Sequence, residues 1–111
     1  MELLISPIDV DFFYFPEELT AEMLRPISTP SKPIEGWGTH RIEALGCEIA
    51  FSDEPMGFQV IFEPCRLSEA EAEALVDEIR RNIERVTGER GRVTWITGKD
   101  PDEEAWLDAN E

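Results

Sequence analysis

The spacing of apolar side chains along the chain changes period several times, and each change predicts a different element. Ile8, Val10, Phe12 and Tyr14 alternate with Asp9, Asp11, Phe13 and Phe15, the two-residue period of a strand over about 8–15. Phe13 and Phe15 then point away from the main apolar face and need cover of their own. Pro16 stands at a tolerated first helical position ahead of Glu17 and Glu18, with Leu19, Met23 and Leu24 on one side. That predicts a short helix near 17–25. Prolines, glycines and serines from Pro26 to Gly38 exclude long regular structure, leaving one long loop.

The next stretch reads as a hairpin. Cys47, Ile49 and Phe51 form one apolar face and Phe58, Val60 and Phe62 another, and directly opposed residues must share a face. Pairing Phe51 with Phe58 sets Ile49 opposite Val60 and Cys47 opposite Phe62, closed by the loop Asp53-Glu54-Pro55-Met56. The same register puts Cys65 opposite Ala44, on the other side of the sheet from Cys47, an argument against a disulfide between them. Ile42 and Ala44 are apolar on even positions and the set beyond Gly46 on odd ones, which predicts a β-bulge or sharp bend at Gly46.

Ser68 and Glu71 have the spacing of a capping box, and Ala72, Leu75, Val76, Ile79, Ile83 and Val86 recur at three- and four-residue steps up to Gly88. These predict a long helix over 68–88. Its acids crowd the N-terminus and its arginines the C-terminal half, the order the helix dipole favours. Val93, Trp95 and Thr97 predict a last strand, and Asp100, Pro101 and Glu103 open a terminal helix over about 101–109. The order of elements predicts one α+β domain spanning 1–111: an antiparallel sheet of about four strands with the long helix on one face.

Charge narrows the function classes. Twenty-five acidic and 10 basic residues among 111 give a formal net charge of −15. Direct docking on nucleic-acid phosphates or an anionic membrane is therefore repulsive. Met1 to Pro7 has no basic export signal, and Phe12 to Phe15 is far below the ~20 apolar residues of a membrane span. The expected compartment is the cytoplasm, with Cys47 and Cys65 as free thiols.

Chemistry is sparse. His40 is the single histidine, and a Cys47 or Cys65 nucleophile with His40 as base has no local signature; core packing for Cys47 and a strand-end surface position for His40 are the simpler expectations. Gly36-Trp37-Gly38 resembles no phosphate-binding loop. Asp100, Asp102, Glu104, Asp108 and Glu111 follow a calcium-loop spacing, but Ala105 replaces the turn glycine and Pro101 follows the first ligand position. A solvated acidic helix explains them better. Asp9 and Asp11 on alternate strand positions could share a metal or divide acid and base roles. Trp37 is either an anchor for a partner or a pin for its own loop.

No cofactor is expected. The leading expectation is a non-enzymatic module that binds a basic protein, as an inhibitor or immunity-type protein binds a nuclease. Its candidate contacts are Glu35, Trp37, His40, Asp53, Glu54, Asp102, Glu103 and Glu104. The alternatives are a homo-oligomeric assembly module, with a homodimer through an exposed sheet edge or the Phe12–Phe15 segment, and a small carboxylate-based or metal-dependent enzyme.

Overall fold

The computed structural model describes residues 1–97. In chain order these form β1 (Glu2–Pro7), a 3₁₀ turn (Glu17–Leu19), α1 (Thr20–Met23), β2 (Ser31–Pro33), β3 (His40–Ala44), β4 (Cys47–Glu54), β5 (Gly57–Phe62), α2 (Glu69–Thr87) and β6 (Gly91–Thr97). The strands make one antiparallel sheet in the order β2-β3-β4-β5-β1-β6. The α+β class and the long helix are as the sequence predicts. The four-strand expectation is corrected to six among the described residues, and the terminal helix over 101–109 lies outside them.

The first strand is misplaced by the sequence reading. Leu3, Ile5 and Pro7 of β1 are buried, and Leu4 between them is also apolar, facing the other side of the sheet. Strict alternation is thereby hidden. Residues 8–15 are irregular instead, and their inward parity is odd: Phe13 stacks on Phe58 with ring centroids 6.2 Å apart, and Phe15 lies 5.8 Å from the same ring. Phe13 and Phe15 are the covered residues, whereas Ile8, Phe12 and Tyr14 are exposed. The contest between parities is decided by an available partner, since Phe58 offers an aromatic face at the start of β5.

The second correction concerns the hairpins. β3 and β4 are separate strands joined by Leu45-Gly46, with φ of 53° and 76° and Ala44 paired to Cys47. A two-residue turn with both residues left-handed is the favoured hairpin connection. It also explains the parity change, because paired residues three apart have opposite parity; the chain bends sharply at Gly46 without a bulge. Between β4 and β5, Asp53 pairs with Phe58, Phe51 with Val60 and Ile49 with Phe62. The register is two residues from the expected one, because the turn uses only Pro55-Met56 and the strands extend through the polar Ser52 and Asp53. A shift of two preserves the faces, so Cys47, Ile49, Phe51, Phe58, Val60 and Phe62 are all buried as expected.

The shift matters for the cysteines. β5 ends at Phe62 and Cys65 lies in the link to α2, so strand parity does not govern its direction. Cys47 and Cys65 form a disulfide with Cα atoms 5.7 Å apart, within the usual range. The free-thiol expectation is overturned.

α2 forms as the sequence predicts. Ser68 accepts from the Glu71 main-chain N–H, Glu71 accepts from the Ser68 main-chain N–H, and Gly88 closes the helix in the left-handed conformation. Ala72, Leu75, Val76, Ile79 and Ile83 join Leu3, Ile5, Ile49, Phe51 and Val60 in one core between helix and sheet. Each fully buried Leu, Ile or Phe there contributes about 1.5–3 kcal/mol. Buried Asn82 docks α1 onto α2 by donating to the main-chain oxygens of Glu22 (2.8 Å) and Met23 (3.0 Å). The other face of the sheet carries Leu4, Arg41, Glu43, Glu48, Ala50, Gln59 and Ile61.

Candidate functional site at one end of the sheet

Strand directions bring three irregular segments to the same end of the sheet. β1 finishes there at Pro7, β3 starts there at His40, and β4 and β5 turn there between Glu54 and Gly57. Residues 8–16 therefore lie on one side of the β4–β5 tip and residues 34–39 on the other. A hydrogen bond from the Asp53 N–H to the Thr39 hydroxyl (3.0 Å) ties the second segment to the tip, and the Thr39 N–H reaches the Phe51 carbonyl (2.8 Å).

On the first side, burial of Phe13 and Phe15 forces the alternate residues outward. Phe12 is 45% and Tyr14 72% exposed, and their rings meet edge to face at 6.1 Å. With Asp53 and Glu54 they line a cleft of about 170 Å³. Aromatic faces carry negative electrostatic character, so rings beside carboxylates suit a cationic side chain.

On the second side, Arg41 points onto the open face of the sheet. Its Nε and Nη2 donate to Glu48 (3.3 and 3.0 Å), and Nη2 also donates to Glu63 (3.1 Å). The Trp37 ring lies 5.2 Å from the guanidinium carbon, a cation–π distance. Trp37 thus packs on Arg41 of β3 while remaining 52% exposed. His40 points to the opposite face, stacks on Phe51 at 6.1 Å and is half-buried rather than a surface residue. Burial pushes its pKa down and keeps the ring neutral near pH 7.

Many acids are paired with cations: Glu48 and Glu63 with Arg41, Asp77 and Glu84 with Arg80, Glu22 with Arg85 and Glu43 with Lys32; among the described residues Glu17, Glu18, Glu69 and Glu73 have no cation partner. Among the described residues, no cation pairs with Asp11, Glu35, Asp53 or Glu54, all of which belong to this end. Asp9 is held by both its oxygens to Arg90 at 3.0 Å, and that hydrogen bonding lowers its pKa. Arg90 thus occupies the Asp9 carboxylate, while Asp11 two residues on has no cation beside it among the described residues. Among the described residues no group of three or more His, Cys, Asp or Glu is placed to hold a metal. With both sulfurs in the disulfide, neither cysteine is a nucleophile for His40.

Of the residues singled out from sequence, Glu35, Trp37, His40, Asp53 and Glu54 come together at this end. Asp102, Glu103 and Glu104, like the calcium-spaced acids, lie outside the described residues. Phe12, Tyr14 and Arg41 were missed as site residues. A signal existed for Arg41, which alternates with Glu43 on the face of β3 opposite Ile42 and Ala44; the exposure of Phe12 and Tyr14 had none, because it follows from where Phe58 lies. Comparisons with protein families, with characterised proteins and with solved structures give no match to this chain.

Proposed function

We propose that this chain is a small non-enzymatic protein-binding module that docks one end of its sheet on a basic surface of a partner. An inhibitor or immunity-type protein covering the phosphate-binding surface of a nuclease is the kind of role meant. The observation that carries the reading is the convergence of Asp11, Glu35, Asp53 and Glu54, without a described cation, around exposed Phe12, Tyr14 and Trp37. Unneutralised acids steer a basic partner into encounter, and exposed aromatic side chains supply the anchors that hold it. The role needs no cofactor and no direct contact with nucleic acid or membrane; among the described residues no helix is long and apolar enough to cross a membrane. A native pull-down from the source cell at low salt, with the bound fraction identified by mass, is the test. Recovery of a basic protein that is released when salt is raised supports the reading; recovery of no basic protein sinks it.

A cytoplasmic setting stands as a proposal, and the cysteines test it. A reducing cytoplasm would leave Cys47 and Cys65 open to alkylation, whereas the disulfide persists in an oxidising compartment.

The second reading is a homodimer through β6. Among the described residues this seven-residue edge strand has no neighbour on its outer side, and its Ile96 joins Leu4 and Met56 in lining a cleft of about 490 Å³. Like-charge repulsion at −15 opposes it. Sedimentation at rising concentration separates the two readings, since a constant monomer mass removes this one.

A further inference from the structure

Core packing builds the aromatic side of the cleft beside the β4–β5 tip. Phe13 stacks on Phe58 and Phe15 lies against the same ring, which anchors residues 12–15 with Phe12 and Tyr14 standing outward. Those two rings meet edge to face, with 77° between their planes, an arrangement that leaves ring faces open. Asp53 and Glu54 at the end of β4 line the same cleft of about 170 Å³. Asp53 is exposed, and Glu54 is steadied by the Ser52 hydroxyl, which donates to its Oε1 (3.0 Å). The cleft thus joins two accessible rings to two adjacent carboxylates that no described cation neutralises.

Size and lining select the occupant. The volume lies below the ~300–1,000 Å³ of pockets for small molecules, so it suits a single side chain. A metal ion finds no third His, Cys, Asp or Glu beside these two among the described residues. An organic cation remains. A lysine ammonium is compact and strongly hydrated, and it must shed that water to lie on an aromatic ring. A guanidinium is flat and weakly hydrated, stacks on a ring and forks onto carboxylates. Arginine therefore uses the rings and the carboxylates at once.

We propose that this cleft receives one arginine side chain of the partner, its guanidinium laid against the Phe12–Tyr14 pair and its N–H groups donating to the Asp53 and Glu54 carboxylates. The proposal rests on the reading of the chain as a module for a basic protein and names the residue it grips. Arginine is also the residue of choice for recognising phosphate, so filling this cleft withdraws a phosphate contact from the partner.

The test is an NMR titration of the protein with N-acetyl-arginine methylamide, with the lysine counterpart and with the uncharged citrulline counterpart. The arginine probe is expected to give saturable shifts at residues 12–15 and 53–57, to bind about threefold or more tighter than lysine, and to outcompete citrulline, which keeps the shape and loses the charge. Tyr14→Ala and Asp53→Asn each alter an exposed side chain, so the fold is retained, and each should weaken the arginine probe about threefold or more. Glu69→Gln/Glu73→Gln, remote on α2, should leave it unchanged. Lysine or citrulline binding as tightly as arginine overturns the proposal, as does an affinity unmoved by Tyr14→Ala, an equal loss in the helix pair, or the absence of a saturable shift at the cleft. A captured basic protein whose affinity is unmoved by Tyr14→Ala removes this inference alone; saturable arginine binding at the cleft with no basic partner captured supports it and removes the proposed role.

Discussion

Replacing Glu78 with glutamine is expected to loosen the long loop from α2 and to erase part of the pH dependence of stability. The Glu78 carboxylate accepts from the main-chain N–H and the hydroxyl of both Ser28 and Thr29. Burial alone would push its pKa up, but the bonds from Thr29 and Ser28 together outweigh burial and hold it at about 2, against an ordinary value of 4.5. A gap of about 2.5 units at about 1.4 kcal/mol each sets a ceiling of about 3 kcal/mol. The side chain is only partly buried, and solvent screening brings the expected contribution to about 1–2 kcal/mol. Because the folded pKa lies below the unfolded one, this stabilisation is complete above pH 4.5 and is lost as pH falls toward 2. Urea unfolding of both proteins from neutral to acid pH reads the effect. The protein should exceed Glu78→Gln by about 1–2 kcal/mol near neutrality, with the difference closing across that acid window. A difference that stays constant down to the lowest pH, or none at neutral pH, would refute the reasoning.

Three other outcomes follow from the packing. Phe13→Ala should cost about 3–5 kcal/mol in urea unfolding and Phe12→Ala under about 0.5 kcal/mol; the reverse order would restore the even-numbered inward face. Gly57 has φ of 148°, and a Cβ there would collide with the Ile5 carbonyl oxygen, so Gly57→Ala should lose more than about 2 kcal/mol, and a normal melting temperature would contradict the β1–β5 register. Reducing Cys47–Cys65, which closes a separation of 18 residues, should cost about 3 kcal/mol on chain-entropy grounds; identical thermal melts with and without reductant would count against a disulfide in the folded chain.

Legibility in the sequence followed how local the physics was. α2 could be read to within a residue because its cap, apolar spacing and terminal glycine all act within a turn of the chain. Faces in β4 and β5 were legible for the same reason, since parity survives a two-residue slip, but the register was not, because it depends on how far Ser52 and Asp53 can extend a strand before the turn. The two-residue turn at Leu45-Gly46 left a parity change that reads equally as a bulge until Ala44 is seen opposite Cys47. Phe13 and Phe15 turn inward because Phe58, more than forty residues away, offers a ring to pack on, and no local pattern contains that contact. The disulfide was missed because a strand rule was carried past the end of β5. At the candidate site, Glu35, Trp37, His40, Asp53 and Glu54 were named on charge and exposure alone. Their meeting at one sheet end follows from strand direction, which only the full antiparallel order supplies.

The proposed docking of the acidic sheet end is tested most directly by the association rate of the basic protein captured at low salt. The rate should be measured against ionic strength for the protein, for Asp53→Asn/Glu54→Gln, and for Glu69→Gln/Glu73→Gln, which makes the same charge change near the start of α2. The account predicts a rate that falls steeply with salt, and a drop of about tenfold for the sheet-end pair against a much smaller one for the helix pair. Equal drops for the two pairs, or a rate indifferent to salt, would contradict it.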